Sequence, residues 1–225
     1  YTKIIINFAQ IFNLKKINNI FNINLNIFIR TILLTFSFLW FTYLGTQIGE
    51  NYVAANAILI NLVFLSAFIL DAYAFSTEGI VGYSLGKKDL NLFKNIVKNS
   101  FILSSISGLI ISIIFFFTYN LVINLMSDIN EIRELSSSYA VWLIILPVIS
   151  SFCYQFDGIF IGASQTKELR NAMIFSVFSY LLISILLIKF LFNTGIWISL
   201  CIFMILRAVS LFYYLDKIYL RFRKN

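Results

Sequence analysis

Residues 53–84 read VAANAILINLVFLSAFILDAYAFSTEGIVGYS, a run in which only Asp71 and Glu78 carry charge. A helix that crosses a bilayer needs roughly 20 mostly apolar residues. This run is longer than that, so it predicts a membrane-crossing helix that also projects beyond the hydrocarbon into the cytoplasm. Five further apolar runs, 26–44, 100–120, 139–162, 172–191 and 196–216, give six spans in all. They are continuous rather than alternating, which excludes a transmembrane β-barrel and predicts an all-α integral membrane bundle.

Composition agrees. The 225 residues are 60% hydrophobic and 12% charged, with a mean hydropathy of +0.89. Soluble domains carry about 25% charged residues. A net charge of +7 invites a nucleic-acid reading, but the bases lie in short clusters between apolar runs, as topology signals do. Lys87, Lys88, Lys94, Lys98, Lys167, Arg170, Lys217 and Arg221 mark the cytoplasmic connections, while Arg133 is alone among the external ones. Both termini are therefore expected on the cytoplasmic side. Three segments follow: an amphipathic interfacial connector over 1–25, the six-helix lobe over 26–216, and a basic cytoplasmic tail over 217–225. Residue 1 is Tyr, so a fragment of a longer protein is expected.

The 25 Phe accompany abundant Ile, Asn and Lys, a bias of A/T-rich codons, and need no functional explanation. Cys153 and Cys201 fall inside apolar runs and are expected as packed thiols. With no His and only these two Cys, no zinc or haem constellation exists, and no cofactor is expected.

Charged groups at membrane depth are costly and mark functional candidates. Asp71 and Glu78 are seven residues apart, within ~20° on one helix face. Asn56 shares that face to within ~60°, and Asp157 lies late in the fourth span at nearly the depth of Asp71. A carboxylate in a low-dielectric cavity can take a proton or hold a cation. The bland alternative is that these acids pair with a base, either Arg30 or Arg207. Pro147, the only proline, removes a backbone donor inside span four and is a candidate gating kink. Ser104, Gly108 and Ser112 repeat every four residues, as in close helix packing. Lys189 is expected to snorkel outward. A short outer helix is expected near 125–135, capped by Ser127 or Asp128.

The segment DAYAFSTEGIVGYSLGKKD (71–89) resembles the multidrug and toxic-compound extrusion family, in its DinF-like branch. Its matching features are Asp71, Glu78, Val81, Gly82, Gly86 and Lys87. A second match runs from Tyr154 through Asp157, Gly158, Gly162 and Ala163 to Arg170 and Asn171, and a third covers Asp128 to Pro147. The resemblance spans about 26–216 and implies the carboxy-terminal half of a twelve-span, two-lobe antiporter in the cell inner membrane. Such a protein exports organic cations or other amphipathic small molecules against H+ or Na+, with Asp71, Glu78, Asp157 and Asn56 in the cavity and the bilayer and an amino-terminal lobe as partners. By that resemblance Asp157 matches an acid of the cation site, yet its usual acidic partner on the first span is absent; Arg30 is the charge there. Proton coupling is therefore slightly favoured.

Alternatives stay open. A lipid-linked saccharide flippase of the same superfamily would want a cationic cavity. An intramembrane aspartyl protease would need Asp71 and Asp157 to form a dyad, but no Gly-x-Gly-Asp segment accompanies them. A non-transporting membrane subunit is the third.

Overall fold

A computed structural model of the chain describes residues 14–223. Every regular element within them is helical. In order these are α1 (Leu14–Thr46), α2 (Glu50–Lys87), α3 (Leu90–Met126), the short α4 (Asn130–Ser138), α5 (Ala140–Gly162) and α6 (Thr166–Arg223). Five of them are long and apolar enough to cross a membrane.

The sixth span is hidden in α6. Helical geometry breaks at Phe192, where φ is 48° and ψ −130°. On either side the chain folds back on itself. Lys217 pairs with Glu168 at 3.1 Å, and Tyr180 meets Phe203 with ring centroids 5.3 Å apart. Both pairs are symmetric about residue 192, so the arms 166–191 and 193–223 form an antiparallel hairpin with almost no loop. Gly195 permits the tight return, since a Cβ there would lie 2.5 Å from the Leu187 carbonyl oxygen. Lys189 is exposed near this turn, where its stem can reach the interface.

At its amino end α1 begins at or before Leu14, so residues 14–25 of the expected connector continue directly into the first span. Residues 1–13 and the last two residues of the tail, 224–225, lie outside the described residues. α2 has 38 residues, about 57 Å at 1.5 Å per residue, against a hydrocarbon core of ~30 Å. It overshoots the bilayer as its sequence requires. Lys88, in the left-handed region with φ 57°, ends α2, and Asp89 opens α3 by accepting the Leu92 N–H.

The loop between α3 and α4 differs from expectation at its cap. Ser127 closes α3, which runs on through Leu125 and Met126, and Ile129 is the N-cap residue of α4 without a side-chain cap. Arg133 holds the loop instead, donating to the Ser127 and Asn124 carbonyls and pairing with Asp128. One cation reaching three acceptors ties both helix ends at once.

The central helix is α5, packed against α2, α3 and α6. Small residues set its distances. A Cβ at Gly158 would sit 2.3 Å from the Ala74 carbonyl oxygen, and one at Gly162 2.4 Å from that of Glu78. On the opposite side a Cβ at Gly108 would come within 2.9 Å of the Pro147 carbonyl oxygen. Ser104 and Ser112 flank it, donating to the carbonyls of Ser151 and Ile144. The small-residue stripe of α3 is thus the seam against α5, and α5 passes Pro147 as one helix. Both cysteines are free and buried.

Outward faces are apolar. Phe21, Phe28, Ile32, Leu39 and Tyr43 run along α1 at helical spacing, all exposed. Such a surface is unsuited to water and natural in lipid. We expect Gly158→Ala to cost about 1–3 kcal/mol, the usual penalty of forced overpacking. Gly79→Ala, where a Cβ would meet nothing within 4 Å, should be near neutral. Thermal melts of the two detergent-purified variants check the contrast.

Candidate functional site

Four ionisable side chains converge in the half of the bundle that carries the basic loops. Asp157 of α5 is the centre. Its Oδ2 accepts from the Arg207 guanidinium of α6 at 2.7 Å and from that of Arg30 on α1. Side-chain exposure is 6% for Asp157, 1% for Arg207 and 15% for Arg30, so this triad is withdrawn from solvent. The question of which base pairs with Asp157 has the answer that both do. Arg207 also lies over the Phe203 ring, 5.4 Å from its centroid, and has the Met204 sulfur at 3.4 Å. Asp157 Oδ1 and the Nε atoms of both arginines are buried without a hydrogen-bond partner.

Asp71 reaches the same level through the α2–α5 seam. The pairs Ala74–Gly158 and Glu78–Gly162 both differ by 84 in number, so the two helices run parallel with a fixed register. On that register Asp71 and Asp157 sit within two residues of one depth, about 3 Å at 1.5 Å per residue. Asp71 is half-buried, accepts no hydrogen bond from another described side chain, and feels the charges of Asp157, Arg30 and Arg207. The four groups carry two positive and two negative charges when all are ionised.

The other candidates separate from this cluster. Glu78 lies two turns along α2 from Asp71, half-buried, outside every ion pair given above. Asn56 is 15 residues from Asp71, about 22 Å along α2, and is fully engaged. It exchanges two hydrogen bonds with Asn193, at 2.6 and 3.0 Å, and accepts from Trp197 Nε1 at 2.9 Å. This buried clasp fastens α2 to the α6 turn. Asn56 also borders a cavity of about 210 Å³ with Phe41, Thr42, Val53 and Asn61. Pro147 is buried in the α3–α5 seam.

Two features escaped the sequence reading. Thr77 donates to the buried Gln155 at 3.0 Å, joining α2 to α5. Asn26 accepts from Arg170 at 2.8 Å and donates to Thr166, tying the start of α6 to α1. Neither pair has a sequence signal beyond a polar residue in an apolar run. Among the described residues no group of three or more His, Cys, Asp or Glu is placed to hold a metal ion.

With the geometry in view, the family follows. The family model MatE matches residues 27–190. The chain belongs to the MatE family. Its members are transporters rather than enzymes. Over 189 residues, 84% of the chain, it is 32% identical to DNA damage-inducible protein F of Escherichia coli K12 and covers 41% of that protein. A MOP superfamily transporter from Pyrococcus furiosus, for which a reversed binding-pocket polarity is described, matches with a TM-score of 0.78 at 21% identity. The match covers 88% of this chain and 44% of that one. An outward-facing multidrug resistance MATE transporter gives the same TM-score, identity and coverage. The chain therefore spans less than half the length of these relatives, and the resemblance to solved structures fixes the six-helix fold of this MatE protein.

Asp157→Asn would take from two buried guanidiniums the one carboxylate hydrogen-bonded to both, a loss of about 3–5 kcal/mol. We expect a correspondingly lower melting temperature and a lower yield of folded protein. Asn56→Ala, which strands the Asn193 amide and the Trp197 N–H, should cost about 1–3 kcal/mol per orphaned group, read in the same assay.

Proposed function

We propose that this chain is the carboxy-terminal lobe of a cation-coupled exporter, working with an amino-terminal lobe across a central cavity in the cell inner membrane. Both termini of the lobe face the cytoplasm in this reading, as the clustered bases favour. The observation that carries it is the convergence of Asp71, Asp157, Arg30 and Arg207 at one depth inside a MatE-family bundle. Charges at such depth face a cavity or one another, and here one acid remains beyond the paired set.

In an alternating-access cycle the two lobes rock about a fixed site. Organic cations or other amphipathic molecules enter from the cytoplasm, and H+ or Na+ enters from outside. Either ligand shifts the inward–outward equilibrium only as far as it binds the two states differently. A relative of this fold adopts an outward-facing conformation, which supports the cycle. Asp71 and Glu78 are the acids assigned to the cavity, Asp157 holds the arginine pair beside them, Asn56 fastens the opposite end of α2, and Pro147 provides a compliant point on α5.

A second reading draws on Arg30 and Arg207. They give the buried site as many bases as acids, closer to what a flippase for anionic lipid-linked saccharides would need. Transport separates the two. Vesicles containing the complete transporter should expel a fluorescent organic cation when a proton or sodium gradient is imposed, and the effective gradient names the ion. Asp71→Asn should cut that efflux at least about tenfold with expression retained, the size of a lost coupling interaction of ~1.4 kcal/mol or more. Absence of efflux under both gradients, from folded protein, would favour the flippase or a non-transporting subunit.

A further inference from the structure

The two aspartates at the cluster are unequal. Asp157 already accepts two guanidiniums on one oxygen and is almost fully enclosed. For a proton or a substrate cation to take its place there, two buried arginines would have to give up the carboxylate hydrogen-bonded to both, which is strongly unfavourable in low dielectric. Asp71 sits beside this triad on a different helix, half-buried, with no hydrogen-bond donor committed to it among the described side chains. Among the described residues its charged neighbours are Arg30 from α1, Asp157 from α5 and Arg207 from α6. Cys153 and Tyr154 of α5 are the uncharged titratable groups within its reach. The packed α3 has no charged residue from 99 to 126.

We propose that Asp71 is the exchangeable carboxylate of this lobe, holding in turn a proton or the cationic group of a substrate, while Asp157 is a fixed counter-charge for Arg30 and Arg207. The substrate half of this statement rests on the exporter reading; the division of labour between the acids does not. With Asp71 ionised the four groups sum to zero, and a cation can settle against the free carboxylate. With Asp71 protonated the same cluster carries one net positive charge and repels that cation. Proton and cation then exclude one another at a single site, the requirement for obligatory exchange. The same arrangement selects a proton over sodium. A hard metal cation needs a shell of oxygen ligands, whereas the charged groups around Asp71 are two guanidiniums and a carboxylate engaged on both of them.

The test uses the complete transporter reconstituted in lipid. An acid-minus-alkaline infrared difference spectrum should show the C=O band of a protonated carboxyl. That band should vanish in Asp71→Asn and persist in the charge-balanced double variant Asp157→Asn/Arg207→Gln, which avoids leaving an uncompensated arginine if Asp157→Asn alone does not fold. Binding of tetraphenylphosphonium should weaken about tenfold per pH unit on the acid side, as one competing proton dictates, and flatten to less than about twofold in Asp71→Asn. Survival of the band in Asp71→Asn, its loss in the double variant alone, or its absence from the wild type would each overturn the proposal. If the band behaves as stated but tetraphenylphosphonium binds at no pH, Asp71 stands as the titrating acid and the organic-cation exporter reading fails.

Discussion

A carboxylate held between two guanidiniums in a medium of low dielectric constrains everything around it. Each partner of the Arg30–Asp157–Arg207 triad comes from a different helix, and none of the three charges is tolerable at that depth without the others. α1, α5 and the second arm of α6 are therefore fixed at one level. Replacing such a triad with apolar side chains is often harmless to stability, so its presence argues for a use beyond holding the bundle together. The net positive charge of the triad, offset by Asp71 from a fourth direction, gives that use a physical form.

Packing delivers the fourth charge. Apolar attraction alone does not drive helices together in lipid, so contact depends on close approach and polar bonds. Gly158 and Gly162 let the backbone of α5 lie against that of α2, which fixes the register of the two helices and so the level of Asp71. Gly108, with Ser104 and Ser112, performs the same task between α3 and α5. α5 is thus gripped on two sides by glycine seams and on a third by ion pairs. At the far end the Asn56–Asn193–Trp197 clasp and the Trp40–Ser184 hydrogen bond secure the α6 turn to α2 and α1. Polar fastenings near both ends of the bundle hold its helices together as one unit.

Much of this was legible in the sequence. The spans followed from the lengths of the apolar runs, and the seam on α3 from its four-residue spacing. The near-equal depth of Asp71 and Asp157 followed from counting along two spans that run the same way. Gly158 and Gly162 carry the same four-residue spacing as the α3 stripe, so that seam was also readable, though overshadowed by the neighbouring aspartate. Asn56 was legible as a polar residue at depth, but its partner lies 137 positions away, across a turn that composition does not announce. The cap of α4 went to Ile129 rather than Ser127 or Asp128 because Arg133 gathers the carbonyl and carboxylate groups of that loop.

By itself the sequence determined that the chain lives in lipid, how many times it crosses, and which residues are costly there. Those properties depend on hydrocarbon length and on the solvation of single side chains, both local quantities. Only the tertiary structure decided which base met Asp157, that the answer was two, and that Asp71 takes no hydrogen bond from another described side chain. Pairing of charges depends on helix rotation and register, which are set by small-residue contacts between segments far apart in the chain. A linear sequence lists the charges; the packing of α1, α2, α5 and α6 assigns them to one another.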